Sequence, residues 1–512
     1  MTATAPLSPR VQITTVLALN SWAAVFLALL LFVRTLPATP TPLPGPADAE
    51  TAWWGLWPVT AAPGWAVILG TVMVLAALML GRRGAVIGLR CELSRTDLGF
   101  GIWVVAAGLF GAFWIFQVPH TRWGDAYILT NGIAYADPAL RLTHSWQAPL
   151  DVFLHSQVWL AFHDRFGWET ARPVYQILSP LAGGIYLAVA VALGRDRRIG
   201  PGWLTFGLLA SLGVIQLFFG YVENYSFAAA GILLYLWLGL GVLRGERPLW
   251  LAATVLAVTN ATHPSTVVYA PSLVFVACCV LRVAWRNDPD RRLAHVTRNT
   301  FHVLLPMLIV AGTTILLMES GGHGLRALLT SDRPGGGDGR WLVPLFATAT
   351  RWEHYTMFSW GHLRDMWNEQ MLVGPAVLPG LMVVGALLLF EKAKGKRQSA
   401  KGKRVAAERT GWADDHFQFS IFNFQFLIFL FLAAAFHLLL IWAWNPDYGG
   451  QRDWDLFSLA TMPSALLLAY LLPRLLADRR QLFAATLPLL TLQALHTIAW
   501  IYQNTLPWSW PS

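Results

Sequence analysis

Apolar stretches of about 18–25 residues recur along the whole chain and limit its fold more than any other feature. As helices, such stretches cross a hydrocarbon layer of roughly 30 Å. Only helices and closed barrels satisfy their own backbone hydrogen bonds in lipid, and these stretches are continuously apolar rather than alternating. Charged residues make up 13% of the 512 residues, about half of what a soluble protein carries. The sequence therefore predicts an all-α polytopic membrane protein with a single transmembrane domain over residues 1–512.

The stretches predict about 13 transmembrane helices. These predicted spans lie near 13–36, 64–81, 98–118, 173–194, 203–221, 225–243, 248–262, 267–285, 303–318, 372–390, 419–444, 459–477 and 484–502.

The distribution of lysine and arginine among the connecting segments predicts which side of the membrane each segment lies on. With the N-terminus in the cytoplasm, the inner segments carry a net positive charge and the outer segments a net negative one. Every lysine lies in one inner loop, 391–418. This pattern follows the positive-inside rule. The formal net charge of +9 therefore predicts a topology, N-terminus inside and C-terminus outside, and no nucleic-acid partner.

Two outer loops are long, 119–172 and 319–371. The first contains Ala148–Trp168, in which apolar residues recur at helical spacing against Asp151, His155, Asp164 and Arg165. That pattern predicts an amphipathic helix in the membrane interface, because the segment is too polar to span. The inner loop 391–418 is interpreted as a topogenic tether that attracts anionic lipids.

The first candidate site follows the third span in the sequence RWGDAY, Arg122–Tyr127. An acid at the mouth of a helix bundle can act as a general base toward a hydroxyl. Asp125 is the acid of this cluster, and Arg122 is a candidate substrate-binding residue beside it. The alternative is structural, because Asp125 is also well placed to cap a helix that starts at Ala126.

Two further clusters lie at the outer ends of later spans. Glu223 and Asn224 occupy the tight outer turn before the sixth span. A carboxylate so close to hydrocarbon is costly, so it faces protein or a wet cavity, either for function or as part of an ion pair. His263 follows the seventh span, where it either donates to a phosphate or serves as a satisfied cap residue.

The fourth cluster, Asn445–Asp455, is the most polar short loop between two strongly apolar spans. Asp447, Arg452, Asp453 and Asp455 are its candidate substrate-binding residues. Arg452 offers a planar fork for phosphate, and the adjacent glycine pair allows close backbone approach to a ligand. The D-x-D pair either holds a divalent cation or caps the next helix. The topology brings all four clusters to one level of the bilayer, on the outer side.

The chain resembles the C-type glycosyltransferases, a superfamily of many-helix membrane enzymes. The resemblance rests on Arg122–Tyr127, the interface helix Ala148–Trp168 and the late loop Asn445–Asp455. It implies a polyprenyl-phosphate sugar donor and makes Asp125 the catalytic base. Some members have a longer acidic pattern in the first loop, whereas Gly124 precedes a single acid here.

The resemblance thus implies transfer of a sugar to a hydroxyl of a lipid- or glycan-linked acceptor, with inversion. Membrane lipids are the further expected partners. The Arg-rich, Lys-poor composition favours a bacterial cytoplasmic membrane whose active site faces outward, towards the cell envelope. Two alternatives stay open. A lipid-linked polysaccharide ligase or polymerase would use Arg351, His354, His362 and Arg364, whereas a transporter or flippase would place charged residues in broken helices.

Overall fold

The structure is a computed structural model that describes residues 9–37, 52–87, 97–329, 340–350, 352–390, 421–476 and 478–508. The basic loop 391–418 lies outside these residues. Three quarters of the chain is helical, and the described part contains no β-strand, only an isolated bridge between Leu342 and Trp444. The predicted all-α class is confirmed.

The helices are α1 Pro9–Val33, α2 Pro58–Ala61, α3 Gly64–Ile87, α4 Asp97–Ile115, α5 Ala126–Ile133, α6 Pro149–Phe166, α7 Arg172–Arg195, α8 Gly202–Ala210, α9 Ser226–Leu243, α10 Leu249–Thr262, α11 Ala270–Asn287, α12 Arg292–Ser320, α13 Leu325–Leu329, α14 Trp360–Val373, α15 Val377–Phe390, α16 Ile421–Ala443, α17 Trp454–Ser458, α18 Thr461–Leu475 and α19 Arg479–Thr505. Short 3-10 helices cover Pro138–Leu140, Gly213–Phe218, Pro264–Tyr269 and Pro289–Arg291.

Nine helical segments of the described part are long and apolar enough to cross a membrane, and ten if the bent pair α14–α15 counts as one span. The structure thus supports an integral membrane protein, while the predicted count of about 13 and the predicted orientation are not confirmed by it. The difference arises where predicted spans coincide with shorter helices. The apolar part of α4 is Phe100–Ile115, α10 is Leu249–Thr262, and the predicted span 203–221 is broken.

The break after α8 has a packing cause. A Cβ at Gly213 would lie 2.6 Å from the Leu372 carbonyl oxygen, so the backbones of the two segments touch there. The carbonyls freed at the end of α8 find partners on α19: Gln493 Nε2 donates to Leu208 at 3.3 Å and Thr497 donates to Ser211 at 2.7 Å. These side chains satisfy groups that a continuous helix would have paired internally.

Burial separates the centre of the bundle from its periphery. The segment Trp454–Leu475 has 89% of its apolar window buried inside the protein, whereas Pro289–Ser320 has 6%. Leu308 and Leu316 on the latter are largely exposed, as is Trp65 on α3. Large apolar side chains in such numbers on an outer surface are typical of helices that face lipid.

The predicted helix of the first outer loop is present as α6, but its polar residues do not all face outward. Asp151 and His155 are each 1% exposed, with His155 Nδ1 3.1 Å from Asp151 Oδ2, and the imidazole stacks on Tyr175. Asp164, near the other end of α6, is exposed. The expectation of one solvated polar face was therefore wrong for the first half of α6, because this buried pair turns that half inward.

Candidate active site

Six of the predicted site residues line one cavity of about 310 Å³: Asp125, Glu223, His263, Asp447, Asp453 and Asp455. The remaining lining residues are Gly124, Gln147, Tyr225, Pro264, Ser265, Val267, Val268, Leu440, Trp444, Asn445, Tyr448 and Leu456. The carboxyls come mainly from the loops before α5, α9 and α17. Much of the apolar wall comes from the 3-10 helix Pro264–Tyr269 and the end of α16. The cavity therefore combines a carboxyl-rich wall with an apolar one.

Asp125 directs its carboxylate into this cavity rather than onto α5. The helix begins at Ala126 as expected, yet no backbone N–H of α5 is capped by the Asp125 side chain. Instead Gln147 Nε2 donates to Oδ2 at 2.8 Å and the Tyr448 hydroxyl donates to Oδ1 at 3.1 Å. An N-cap residue normally has an extended backbone, whereas Asp125 has φ −89° and ψ 9°. The capping alternative is therefore wrong for this side chain.

Gly124 lets the first loop pass directly over a second carboxylate. Its φ is +45°, and a Cβ there would overlap the Glu223 carboxylate. The Gly124 N–H donates to the Arg452 carbonyl at 3.1 Å, while the Asp125 N–H donates to Glu223 Oε1. Glycine is required here twice, for its left-handed backbone and for its missing side chain. This turn joins the loops that carry the three acidic clusters.

The carboxyls around the turn resist ionisation. Burial, together with the nearby Asp455 and Asp125 carboxyls, raises the pKa of Glu223 well above its usual value. Burial and Asp455 likewise raise the pKa of Asp453. Carboxyl oxygens accept hydrogen bonds from hydroxyl groups. The wall is therefore suited to a ligand with several hydroxyls.

Asp455 is held by donors from two directions. The Tyr221 hydroxyl donates to Oδ2 at 3.0 Å, and the Leu456 N–H donates to Oδ1 at 2.8 Å. Trp454 Nε1 in turn donates to the Tyr221 hydroxyl at 2.9 Å. Tyr221 and Trp454 are both fully buried, so this chain of donors fixes Asp455 from the protein interior.

His263 has the capping role predicted for it, while its donation to a phosphate stays a prediction. Its Nδ1 accepts from the Ser265 N–H at 3.3 Å, which caps the 3-10 helix that follows. Burial, and secondarily His437, lowers the pKa of His263 to about 3, so the imidazole is neutral. A neutral imidazole that accepts at Nδ1 carries its proton on Nε2. Nε2 is buried without a protein partner, which leaves one donor for a ligand at the cavity wall.

Three predicted residues are not among the lining residues of this cavity. The Arg122 guanidinium stacks over the Trp123 ring at 4.4 Å, and Asn224 is buried. Arg452 is also buried, with its guanidinium 4.8 Å from the centre of the Tyr448 ring. The described lining contains neither lysine nor arginine. An anionic group would therefore bind at the margin of the cavity, towards Arg452, rather than within it.

Two lining residues that contact Asp125 were not predicted as site residues. Tyr448 lies inside the loop Asn445–Asp455 that the sequence singled out, so its position was marked although its role was not. Gln147 precedes α6 by two positions and carries no comparable signal. Only the packing of the first loop brings the Gln147 amide against the acid.

The second long loop, predicted to lie on the outer side, also reaches the site. His354 Nε2 donates to the Asp447 carbonyl oxygen at 3.0 Å, and Asn445 Nδ2 donates to the Trp352 carbonyl at the same distance. The loop therefore packs on the backbone of the late acidic cluster. In the described part of the chain, no three histidine, cysteine, aspartate or glutamate residues are grouped to hold a metal ion.

The chain was compared with protein families, with curated proteins and with solved structures, and none of the three comparisons gave a match.

Proposed function

We propose that the protein is a membrane glycosyltransferase that moves a sugar from a polyprenyl-phosphate donor to a hydroxyl of a lipid- or glycan-linked acceptor. The observation that carries the proposal is Asp125, which turns away from its own helix and is oriented by Gln147 and Tyr448 at a cavity. A carboxylate fixed in this way suits general-base chemistry. The carboxyl-rich wall suits the hydroxyls of a sugar, and the apolar wall suits its lipid.

The proposed reaction is a single displacement. The acceptor hydroxyl attacks the anomeric carbon, its proton passes to Asp125, and the bond from that carbon to the phosphate oxygen breaks. Inversion at the anomeric carbon follows. Glu223, Asp453 and Asp455 bind sugar or acceptor hydroxyls, and His263 donates through Nε2.

The leaving lipid phosphate gains negative charge as its bond to the sugar breaks. Because the described cavity wall has no lysine or arginine, we assign this phosphate to the margin near Arg452. Arg122 would contribute at longer range. Asn224 and Asp447, of which Asp447 lines the cavity, would bind sugar or acceptor groups. None of these steps is routed through a metal ion.

In the membrane, the proposal places the cavity on the non-cytoplasmic face of a bacterial inner membrane. It retains the predicted arrangement of about 13 spans, N-terminus inside and C-terminus outside. The broken and short helices near the cavity would then line its sides, where irregular backbone is tolerated because protein or water surrounds it. Lipid would reach the cavity past Val267, which lines it and is more than half exposed.

The proposal is tested by following release of polyprenyl phosphate from a panel of polyprenyl-phosphate sugars by purified protein in lipid, with and without EDTA. Asp125→Asn is expected to reduce release at least about 100-fold, because the acceptor proton loses its base. Asp164→Asn is the matched control, since Asp164 is an exposed acid on α6.

Loss of release in Asp125→Asn but not in Asp164→Asn supports the assignment. Normal turnover by a folded Asp125→Asn protein would show that another group is the base. Loss of release in EDTA would add a divalent cation to the mechanism.

A second candidate, a transporter or flippase, is favoured by one feature. α14 and α15 meet at 105°, and Glu369, at the end of α14, is 1% exposed with no hydrogen-bond partner for its carboxylate. Broken helices with buried charge are typical of transporters. Movement of a labelled polyprenyl-phosphate sugar across vesicles, unchanged in Asp125→Asn and lost in Glu369→Gln, would favour this candidate over the transferase.

A further inference from the structure

Tyr448 contacts both ends of the acidic site. Its hydroxyl donates to Asp125 Oδ1 at 3.1 Å, and its backbone N–H donates to Asp453 Oδ2 at 3.0 Å. Its ring lies beneath the Arg452 guanidinium. One residue of the late loop therefore fixes the acid of the first loop and the acid of its own loop at the same time.

The two oxygens of Asp125 are held in complementary ways. Oδ1 accepts from the Tyr448 hydroxyl and Oδ2 accepts from the Gln147 amide, so the plane of the carboxylate is fixed. Each carboxylate oxygen has a second lone pair that these donors do not use. A substrate hydroxyl can therefore approach while both donors stay in place.

Other carboxyls lie close to Asp125. The Asp125 carboxyl contributes to the raised pKa of Glu223 and of Asp453. Nearby carboxyls disfavour ionisation, whereas hydrogen bonds to the ionised form favour it. The Tyr448 hydroxyl and the Gln147 amide supply such hydrogen bonds to Asp125 as neutral donors.

We propose that Tyr448 is a positioning residue for the transfer reaction, orienting Asp125 against Gln147 so that it can accept the proton of the acceptor hydroxyl. This inference rests on the proposed function. It goes beyond it by assigning to the late outer loop a direct effect on the base in the first.

Tyr448→Phe tests the inference with little change in shape, because the ring under Arg452 is kept and one oxygen is removed. We expect kcat to fall about tenfold with KM nearly unchanged, as one hydrogen bond to a charged group is lost. The acid limb of the pH–rate profile should move up by about one pH unit, since ionised Asp125 loses a donor. Tyr502→Phe, at a partly exposed tyrosine on α19, is the matched control.

A second readout does not depend on turnover. Dicyclohexylcarbodiimide reacts with protonated carboxyls in apolar surroundings, and mass spectrometry locates the product at Asp125. In Tyr448→Phe the labelling should persist to higher pH than in the native protein and in Tyr502→Phe. Gln147→Leu should shift labelling in the same direction, which keeps the test valid where Tyr448→Phe folds poorly.

The outcomes separate the two proposals. Native turnover with an unmoved labelling midpoint in both Tyr448→Phe and Gln147→Leu overturns the inference and leaves the transferase intact. A shifted pH midpoint of labelling in a protein that transfers no sugar supports the positioning of Asp125 by Tyr448 and contradicts the transferase proposal. A fall in turnover without any change in the pH profile or labelling assigns Tyr448 a purely structural role and also overturns the inference.

Discussion

The two ends of α9 hold carboxylates in opposite ways. Beyond its last residue, Arg198 and Arg244 clasp Glu246 at 2.5 and 2.8 Å, and Asp196 joins the same network. Before its first residue, Glu223 accepts from backbone N–H groups beside further carboxyls. With 18 residues between them, these ends lie about 27 Å apart. One end of the helix neutralises its acids with arginine, while the other uses neutral donors.

The difference between the two ends appears in the pKa values of their glutamates. Hydrogen bonds from Arg198 and Arg244 lower the pKa of Glu246, whereas burial and neighbouring carboxyls raise the pKa of Glu223. Ion pairs between exposed loops tie helix ends together at little cost. Clustered buried acids are expensive, and such unfavourable electrostatics concentrate at functional sites. The comparison teaches that the end of the bundle with the cavity gathers costly buried acids, whereas the other end pairs its acids with arginine.

The largest effect is expected from Gly124→Ala, which disturbs the packing at the end of α9 that borders the cavity. The new Cβ would overlap the Glu223 carboxylate, and the alanine would have to adopt a left-handed backbone conformation. We expect the free energy of unfolding to fall by about 3 kcal/mol. Gly167→Ala is the control, because Gly167 also has positive φ but open space around it. Only the backbone cost of about 1 kcal/mol remains there. Equal losses in denaturant unfolding of the two variants would mean that the contact with Glu223 is unimportant.

A smaller effect is expected from Glu223→Gln, and it is a rise in Tm rather than a fall. The raised pKa means that the stabilising contribution of Glu223 is present below the usual pKa of glutamate and is lost as pH rises through the folded value. The neutral amide should therefore raise the Tm by about 2 °C at pH 8, with the difference fading towards acid pH. Thermal unfolding in detergent across pH measures this, and a Tm lowered at pH 8 would contradict the electrostatic account.

The smallest effect, and the opposite sign, is expected from Glu246→Gln. The lowered pKa means that its contribution is present above the usual pKa of glutamate and is lost as pH falls through the folded value. Exposed ion pairs are weak, so the Tm should fall by about 1 °C at neutral pH and recover relative to the native protein in acid. If the two glutamates respond to pH in the same direction, the contrast between the ends of α9 is mistaken.

Much of the fold was predictable because its signal is local. Continuous apolar runs predicted the helices, and the start of α5 at Ala126 followed from the residues around it. Of the breaks at α8 and between α14 and α15, the first was not predicted, since the apolar sequence continues through it, whereas the second lies close to the start of the predicted span 372–390. Gln493 contacts both breaks: its amide donates to Leu208 and its oxygen accepts from the Ala376 N–H at 3.2 Å. Such partners lie on a distant helix and leave no periodic trace.

The sequence by itself determined that this chain is helical, that its composition suits a membrane, and which loops carry its acids. Only the tertiary structure decided that Asp125 faces a cavity, held by Gln147 and by Tyr448 from the late loop. The physical reason is one of range. Apolar runs act on the backbone within a few turns of helix, whereas the orientation and acidity of a carboxyl depend on whichever donors and charges the packed bundle places within a few ångströms.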